Sequence, residues 1–278
     1  MTGTDRGDHG ASGVKHSAEY YARPRPPRSL FRGGGPDRFI RRIARLADTV
    51  EPITAKLPPG HPPPAPTGNL PVRVARVERP APDVAALTLV HEEPGTPLPA
   101  WQPGHHVDVV LGGGVVRQYS LSGDPRDRSS YRIAVRRIPD GTGSGLVHAL
   151  GEGDALGLRG PRNAFPFARA DRYLFVAGGI GVTPILPMVR EAHRSGTPFR
   201  MVYTGRSRES MPFTGELPDG VDVFVRPDDE YGVPDAEEIL AGLTPGTAVY
   251  VCGPAPLINA VRDRVPNSAP FFSERFAP

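Results

Sequence analysis

The chain has 278 residues, 38% hydrophobic and 23% charged, with 35 prolines, 33 glycines and a formal net charge of +3. That length suffices for two domains with their own cores, and its single cysteine, Cys252, excludes a disulfide framework, a thiolate zinc site or a cysteine-ligated iron–sulfur cluster built within the chain. The mild positive charge gives no reason to expect a nucleic-acid partner, no apolar run reaches the ~20 residues needed to span a bilayer, and no secretory leader is recognisable, so a cytoplasmic protein without a transmembrane segment is expected.

Residues 1–69 read as an N-terminal extension. It is polar and rich in Gly, Pro and Arg as far as Gly35, which predicts disorder. From Asp37 onward, Phe39, Ile43, Leu46, Ala47 and Val50 share one helical face, predicting an amphipathic helix over 37–51. Docking on the protein's own body is the simpler reading of that face, and a membrane surface or a partner is the alternative. Pro58 to Pro66 then forms a stiff linker.

From Leu70 to Arg169 short alternating apolar runs recur: Val72–Val77, Val84–Val90, His106–Leu111, Val115–Leu121, Tyr131–Arg137 and Ala155–Leu158. Gly, Pro and Asp clusters separate them, so residues 70–169 are expected to form a small antiparallel barrel or sandwich. Gly112-Gly113-Gly114 supplies a hairpin turn, and one short helix is expected over Ser144–Leu150.

From residue 170 to 278 strands alternate with helices. Strands are expected at Tyr173–Val176, Arg200–Tyr203, Val221–Val225, Ala248–Cys252 and Phe271–Phe272, and helices at Thr183–Ser195, Asp235–Leu240 and Ala255–Arg264. This is an α/β unit with a mostly parallel sheet.

The stretch Val176-Ala177-Gly178-Gly179-Ile180-Gly181-Val182-Thr183-Pro184 falls at a strand-to-helix turn of that unit. Glycines there let a ligand approach the backbone, Thr183 suits an N-cap, and Pro184 suits the first helical position. The spacing is not the Rossmann fingerprint, and tight packing is the alternative reading.

Three more segments carry candidate chemistry. Arg117-Gln118-Tyr119-Ser120-Leu121 ends a barrel strand and combines a phosphate-clamping arginine, an aromatic ring and a hydroxyl; a half-exposed strand would show the same alternation. Thr142-Gly143-Ser144-Gly145 reads either as a phosphate cradle or as a hairpin turn. Cys252-Gly253-Pro254 ends the fourth strand of the α/β unit, where ligands of such sheets bind, although a buried structural cysteine is equally ordinary.

In this order the motifs resemble the ferredoxin–NADP reductase superfamily, from about Leu70 to Pro278. The segments Arg132–Arg137, Gly160–Phe167 and Phe272-Ser273-Glu274-Arg275-Phe276 are similar to the branch of phthalate dioxygenase and vanillate demethylase reductases. The resemblance implies a flavin-binding β-barrel followed by an NAD(P)H-binding α/β domain. Arg117, Tyr119, Ser120 and Leu121 would bind the flavin, with Ala134, Val135 and Arg136 on its other side. Thr142, Gly143, Ser144 and Gly145 would hold its phosphate, although the branch reads Gly-Gly-Ser where this chain has Gly143-Ser144-Gly145. The branch uses FMN; many relatives use FAD.

The nicotinamide nucleotide would lie across Gly178, Gly179, Gly181 and Thr183, with Cys252, Gly253 and Pro254 near its ring. Arg206, Ser207 and Arg208 would meet the adenosine ribose, with NADH favoured over NADPH as donor. Ser120 would hydrogen-bond near the flavin's reactive nitrogen, Cys252 would pack beside the nicotinamide, and Glu274 would face the same crevice. The branch continues past the Phe276 region into a [2Fe–2S] domain whose four cysteines this sequence lacks. The expected function is therefore a flavoprotein NAD(P)H oxidoreductase whose acceptor is a separate protein (a ferredoxin, a Rieske oxygenase or a cytochrome P450), with a small molecule or a domain beyond this sequence as alternatives. A free flavin or ferric reductase, and a redox-silent subunit on the same fold, are the rival readings.

Overall fold

Alternation of apolar and polar residues decides which side of each strand is buried, and the computed structural model of the protein, which describes residues 69–219 and 222–276, follows that rule closely. The expected helix over 37–51 and the Pro58–Pro66 linker lie outside the described residues, as does Val221. All described residues fall in one compact unit.

The first half contains β1 (Leu70–Ala81), β2 (Val84–His91), β3 (His105–Val110), β4 (Val116–Ser120), β5 (Ser130–Arg136), α1 (Thr142–His148) and β6 (Ala155–Asn163). The strands form one antiparallel sheet in the order β4-β3-β6-β1-β2-β5. Just past β4, the Ser122 N–H donates to the Arg132 carbonyl on β5 at 2.8 Å, which draws the two edge strands together into a barrel. Val72, Val74, Leu87, Leu89, Val107, Val109, Ile133 and Leu158 fill its interior. Gly113 (φ 69°) and Gly114 (φ 75°) make the turn between β3 and β4, where a side chain would be strained.

The second half contains β7 (Arg172–Gly178), α2 (Val182–Arg194), β8 (Phe199–Gly205), β9 (Asp222–Pro227), α3 (Asp228–Tyr231), α4 (Ala236–Leu240), β10 (Thr247–Gly253), α5 (Ala255–Arg262) and β11 (Phe271–Arg275). Its sheet is parallel throughout, in the order β11-β10-β7-β8-β9. Leu174, Val176, Val249 and Val251 face α4 and α5. Tyr173, Phe175, Ala177, Tyr250 and Cys252 face the other way, onto α2.

That second face is where the halves join. Ala81, Val84, Ala86 and Ala134 of the barrel belong to the same buried cluster as Phe175, Ile185, Tyr250 and Cys252. At the rim of this seam Arg132 on β5 pairs with Glu216 at 2.8 Å, and Arg190 on α2 joins the same carboxylate. Burial alone would raise the Glu216 carboxyl, but the two arginines outweigh it and hold it below the usual value.

Three local expectations change. The glycine turn runs through a 3-10 turn, Gly179–Gly181, straight into α2, so the helix begins at Val182 with Gly181 as its N-cap and no side-chain cap. Thr183 lies inside the helix, and its hydroxyl donates to the Ile180 carbonyl at 3.0 Å. Second, β6 runs on to Asn163 because backbone pairing with β3 continues through Arg159 and Arg162, where the apolar alternation has already stopped. Third, α3 carries no apolar periodicity and was not foreseen.

Candidate functional site at the seam between the two sheets

The carboxyl ends of β7, β8 and β10 open into a cleft of about 200 Å³. Five glycines line it: Gly178, Gly179 and Gly181 around the glycine turn, Gly205 at the end of β8 and Gly253 at the end of β10. Ile180, Pro254, Arg136 of the barrel, Phe276, Arg206 and Ser210 complete the lining. A polyphosphate chain suits such a lining, because those five positions carry no side chain to hold it away from the backbone.

The glycines do not all serve that lining alike. A Cβ on Gly181 would sit 2.2 Å from the Cys252 carbonyl oxygen, so this glycine exists to let the turn press on β10. A Cβ on Gly178 would sit 2.7 Å from Pro254, for the same reason. Gly179 differs: its φ is 54°, and the nearest atom to an added Cβ is the Arg136 Nη2, 3.9 Å away. It is the position that faces open space.

Beside the cleft, Ser120 at the end of β4 meets the C-terminal strand. Its Oγ donates to Glu274 Oε2 at 3.3 Å. Glu274 pairs in register with Cys252, which in turn pairs with Ala177, so the three neighbouring strands place these residues side by side. Burial pushes the Glu274 carboxyl up to about 7, with the Ser120 hydrogen bond opposing. Burial, and secondly the Glu274 charge, raise the Cys252 thiol well above its ordinary value. The thiol is fully buried and is no nucleophile at neutral pH.

Two further arginines lie on the barrel. Arg117, exposed on β4, rests on α1: a Cβ on Gly143 would lie 2.7 Å from its Cγ and 2.8 Å from its Nε. A Cβ on Gly145 would lie 2.8 Å from Arg137 Nη1. Glycine at these two positions lets both guanidinium groups reach the turn at Thr142, and neither has an ion-pair partner among the described residues. That is the donor set of a phosphate site. The residues therefore fit a flavin nucleotide on the barrel and a pyridine nucleotide in the cleft.

Not every expected residue points at these places. Leu121 and Val135 belong to the barrel core, so only their backbones can face a ligand, whereas Ala134 and Arg136 lie on the seam side of β5. The Ser144 hydroxyl turns inward, donating to the Gly141 carbonyl at 3.1 Å and accepting from the Ile138 N–H at 3.0 Å. Ser207 is engaged with Ser210 in a capping box. Arg208 is held by Glu230 and does not line the cleft. Tyr119 is half-buried against the barrel core, and burial pushes its hydroxyl up to about 12 while the Arg117 charge opposes this.

The sequence did not single out Ser210 and Phe276, which line the cleft, Arg137 beside Gly145, or His106 opposite Ser120. Ser210 receives Arg136: its carbonyl accepts from Arg136 Nη2 at 2.6 Å, while Arg136 Nη1 lies 3.2 Å from Asp83. His106 is the cross-strand partner of Ser120, is 7% exposed, and has no hydrogen-bond partner for Nε2 among the described residues. Burial, then the Arg162 charge, hold its imidazole below the usual value, with Asp108 opposing. The two adjacent buried histidines in Pro103-Gly104-His105-His106 were the signal available for His106.

A family model described as the oxidoreductase FAD-binding domain matches residues 71–167. Phthalate dioxygenase reductase of Burkholderia cepacia is 36% identical over 207 residues, which are 70% of this chain and 63% of that protein. The chain thus spans less than two thirds of that relative's length. The solved structure of phthalate dioxygenase reductase, described as a modular structure for electron transfer from pyridine nucleotides to [2Fe–2S], superposes with a TM-score of 0.69 at 34% identity, covering 75% of this chain and 68% of that one. An intact type IV self-sufficient cytochrome P450 monooxygenase gives a TM-score of 0.71 at 39% identity, over 75% of this chain and 28% of that one. Among the described residues no helix is long and apolar enough to cross a membrane. With a barrel and a parallel sheet matched across their seam, the chain belongs to the ferredoxin–NADP reductase superfamily, in the branch of phthalate dioxygenase reductase.

Proposed function

We propose that this chain is the reductase core of an oxygenase system: a flavoprotein NAD(P)H oxidoreductase, cytoplasmic, that passes electrons to an iron–sulfur or haem acceptor. The observation that carries the reading is the junction of Ser120, Glu274 and Cys252 beside the glycine-lined cleft. It joins the end of β4 to the neighbouring strands β11 and β10, which supports a flavin on the barrel meeting a nucleotide on the sheet. A bound flavin supplies the chemistry that accepts two electrons as hydride and returns them one at a time.

The chain's residues do the placing. Arg117 and Arg137 hold the flavin phosphate over α1, whose small residues stay out of the way. FMN is the flavin proposed, in line with the branch. Tyr119 would cover the ring, and the backbones of Ser120, Leu121 and Val135 would border it. Arg136, fixed by Asp83 and the Ser210 carbonyl, forms the wall shared by both ligands. Gly179 and Gly253 let the nucleotide approach the backbone. Cys252 and Ala177 are small and buried there, and would keep water from the place where the two ligands are proposed to meet. Glu274, whose carboxyl burial raises to about 7 while the Ser120 hydrogen bond opposes, would take up and release a proton beside the cleft in the neutral range.

The acceptor proposed is a Rieske oxygenase, a ferredoxin or a cytochrome P450. The test is to denature the purified protein, identify the released flavin, and assay NAD(P)H-dependent reduction of ferricyanide by the intact form. One flavin per chain with turnover supports the reading. A colourless protein that takes up no flavin overturns it, and a flavin that dissociates and is consumed as substrate favours a free flavin reductase.

A further inference from the structure

Arg206 lines the cleft, but its surroundings are not the basic pocket that Arg206 and Arg208 suggest in sequence. β8 and β9 are parallel neighbours, with Gly205 opposite Pro227, so the residues that follow each strand emerge together. After β8 come Arg206, Ser207 and Arg208; after β9 come Asp228, Asp229 and Glu230. The Asp229 N–H donates to the Arg206 carbonyl at 3.1 Å, which fastens the acidic segment to the basic one. Glu230 then takes Arg208 in a two-point pair, accepting from Nε at 3.1 Å and from Nη2 at 2.8 Å.

We propose that Glu230 is a specificity determinant that sets this chain to NADH by occupying the Arg208 guanidinium and placing carboxylate charge where a 2′-phosphate would go. This rests on the cleft being the pyridine-nucleotide site. A 2′-phosphate is recognised by an arginine that presents a free two-donor fork. Here the fork of Arg208 is filled. Three acids, Asp228, Asp229 and Glu230, follow β9 next to the two arginines that follow β8, so the local charge balance does not attract a dianion. A ribose bearing hydroxyls instead of phosphate meets no such repulsion, and carboxylates in this region can accept its O–H groups. The pair stays ionised through the neutral range, because the Arg208 hydrogen bonds hold the Glu230 carboxyl below its usual value.

The experiment uses the flavin-loaded full chain and its Glu230→Gln variant. Binding of 2′,5′-ADP and of ADP is measured by calorimetry, and kcat/KM for NADPH and NADH by flavin-dependent turnover. The wild-type chain prefers NADH and binds ADP better than 2′,5′-ADP. In Glu230→Gln the ratio of 2′,5′-ADP to ADP affinity and the ratio of NADPH to NADH efficiency both rise by about tenfold or more, the size of one charge-assisted two-point contact. Adding Arg208→Ala to Glu230→Gln removes the gain. A wild-type preference for NADPH, unchanged ratios in Glu230→Gln, or a gain that survives loss of Arg208 overturns the proposal. If neither ADP nor 2′,5′-ADP binds, the nucleotide reading of the cleft is itself what fails.

Discussion

Ser120 and Glu274 lie 154 residues apart in the chain, yet the hydroxyl of one donates to the carboxylate of the other at 3.3 Å across the seam. Ser120 ends an edge strand of the barrel and Glu274 sits in the edge strand of the parallel sheet. No local propensity predicts that meeting; it follows from both halves packing on the same apolar cluster.

The buried carboxyl makes stability depend on pH. Folding raises the Glu274 carboxyl from its ordinary value to about 7, so between those values the folded chain binds more protons than the unfolded one. Its contribution is complete at low pH and is lost as pH rises towards and past 7. Glu274→Gln removes this dependence. Denaturant unfolding at pH 5 and pH 8.5 should show the variant gaining about 1–3 kcal/mol relative to wild type at the higher pH. A difference between the two proteins that does not change with pH would count against the buried, seam-facing carboxyl.

Cys252 should be inert in the folded protein. It is fully buried and its thiol is raised by burial and by Glu274. Thiol titration with Ellman's reagent should find none in the native state and the chain's single cysteine after denaturation. Rapid modification of native protein would place a thiolate at the surface and contradict the seam as described.

The glycine turn separates packing from binding. Gly181→Val forces a side chain into the Cys252 carbonyl, where a Cβ alone would already lie at 2.2 Å. It should cost about 3 kcal/mol or more and deplete folded protein, rather than merely weaken nucleotide binding. Gly179→Ala has room but must keep a left-handed φ of 54°, a strain of about 1–2 kcal/mol. That variant should fold, melt a few degrees lower, and raise KM for NAD(P)H. Equal behaviour of the two variants in melting and in KM would refute the distinction.

Much of the fold was legible because its periods are clean. Val72–Val77 and Val84–Val90 alternate, Tyr173–Val176 is a continuous apolar run, and Ile185, Leu186, Met188 and Val189 repeat as a helix does. The proposed site follows from the sequence where it depends on a residue type needed at a turn or strand end, as with Arg117, Ser120 and the glycines. It was illegible where two distant segments meet. Arg137 enters the proposed site only through its approach to Gly145, Ser210 only by receiving Arg136, and the fork of Arg208 is taken by Glu230 on another strand's end. The inward turn of Ser144 and the N-cap at Gly181 are backbone outcomes that composition does not encode.

Flavin retention should follow the two barrel arginines. Arg117→Ala and Arg137→Ala should each weaken flavin binding about 10- to 100-fold, as loss of a charge-assisted phosphate contact does, and the double variant should purify colourless. Circular dichroism should report an unchanged fold, since neither side chain is part of a buried cluster. Single variants that keep a full complement of flavin would remove these residues from the phosphate site.

The most direct measurement is an anaerobic titration of the flavin-loaded chain with NADH, following the flavin absorption band. If the two ligand sites share the seam at Ser120, Glu274 and Cys252, about one equivalent of NADH bleaches the band, and readmitting oxygen or a one-electron acceptor restores it. A band that persists through a large excess of both NADH and NADPH would mean that the two sites do not meet.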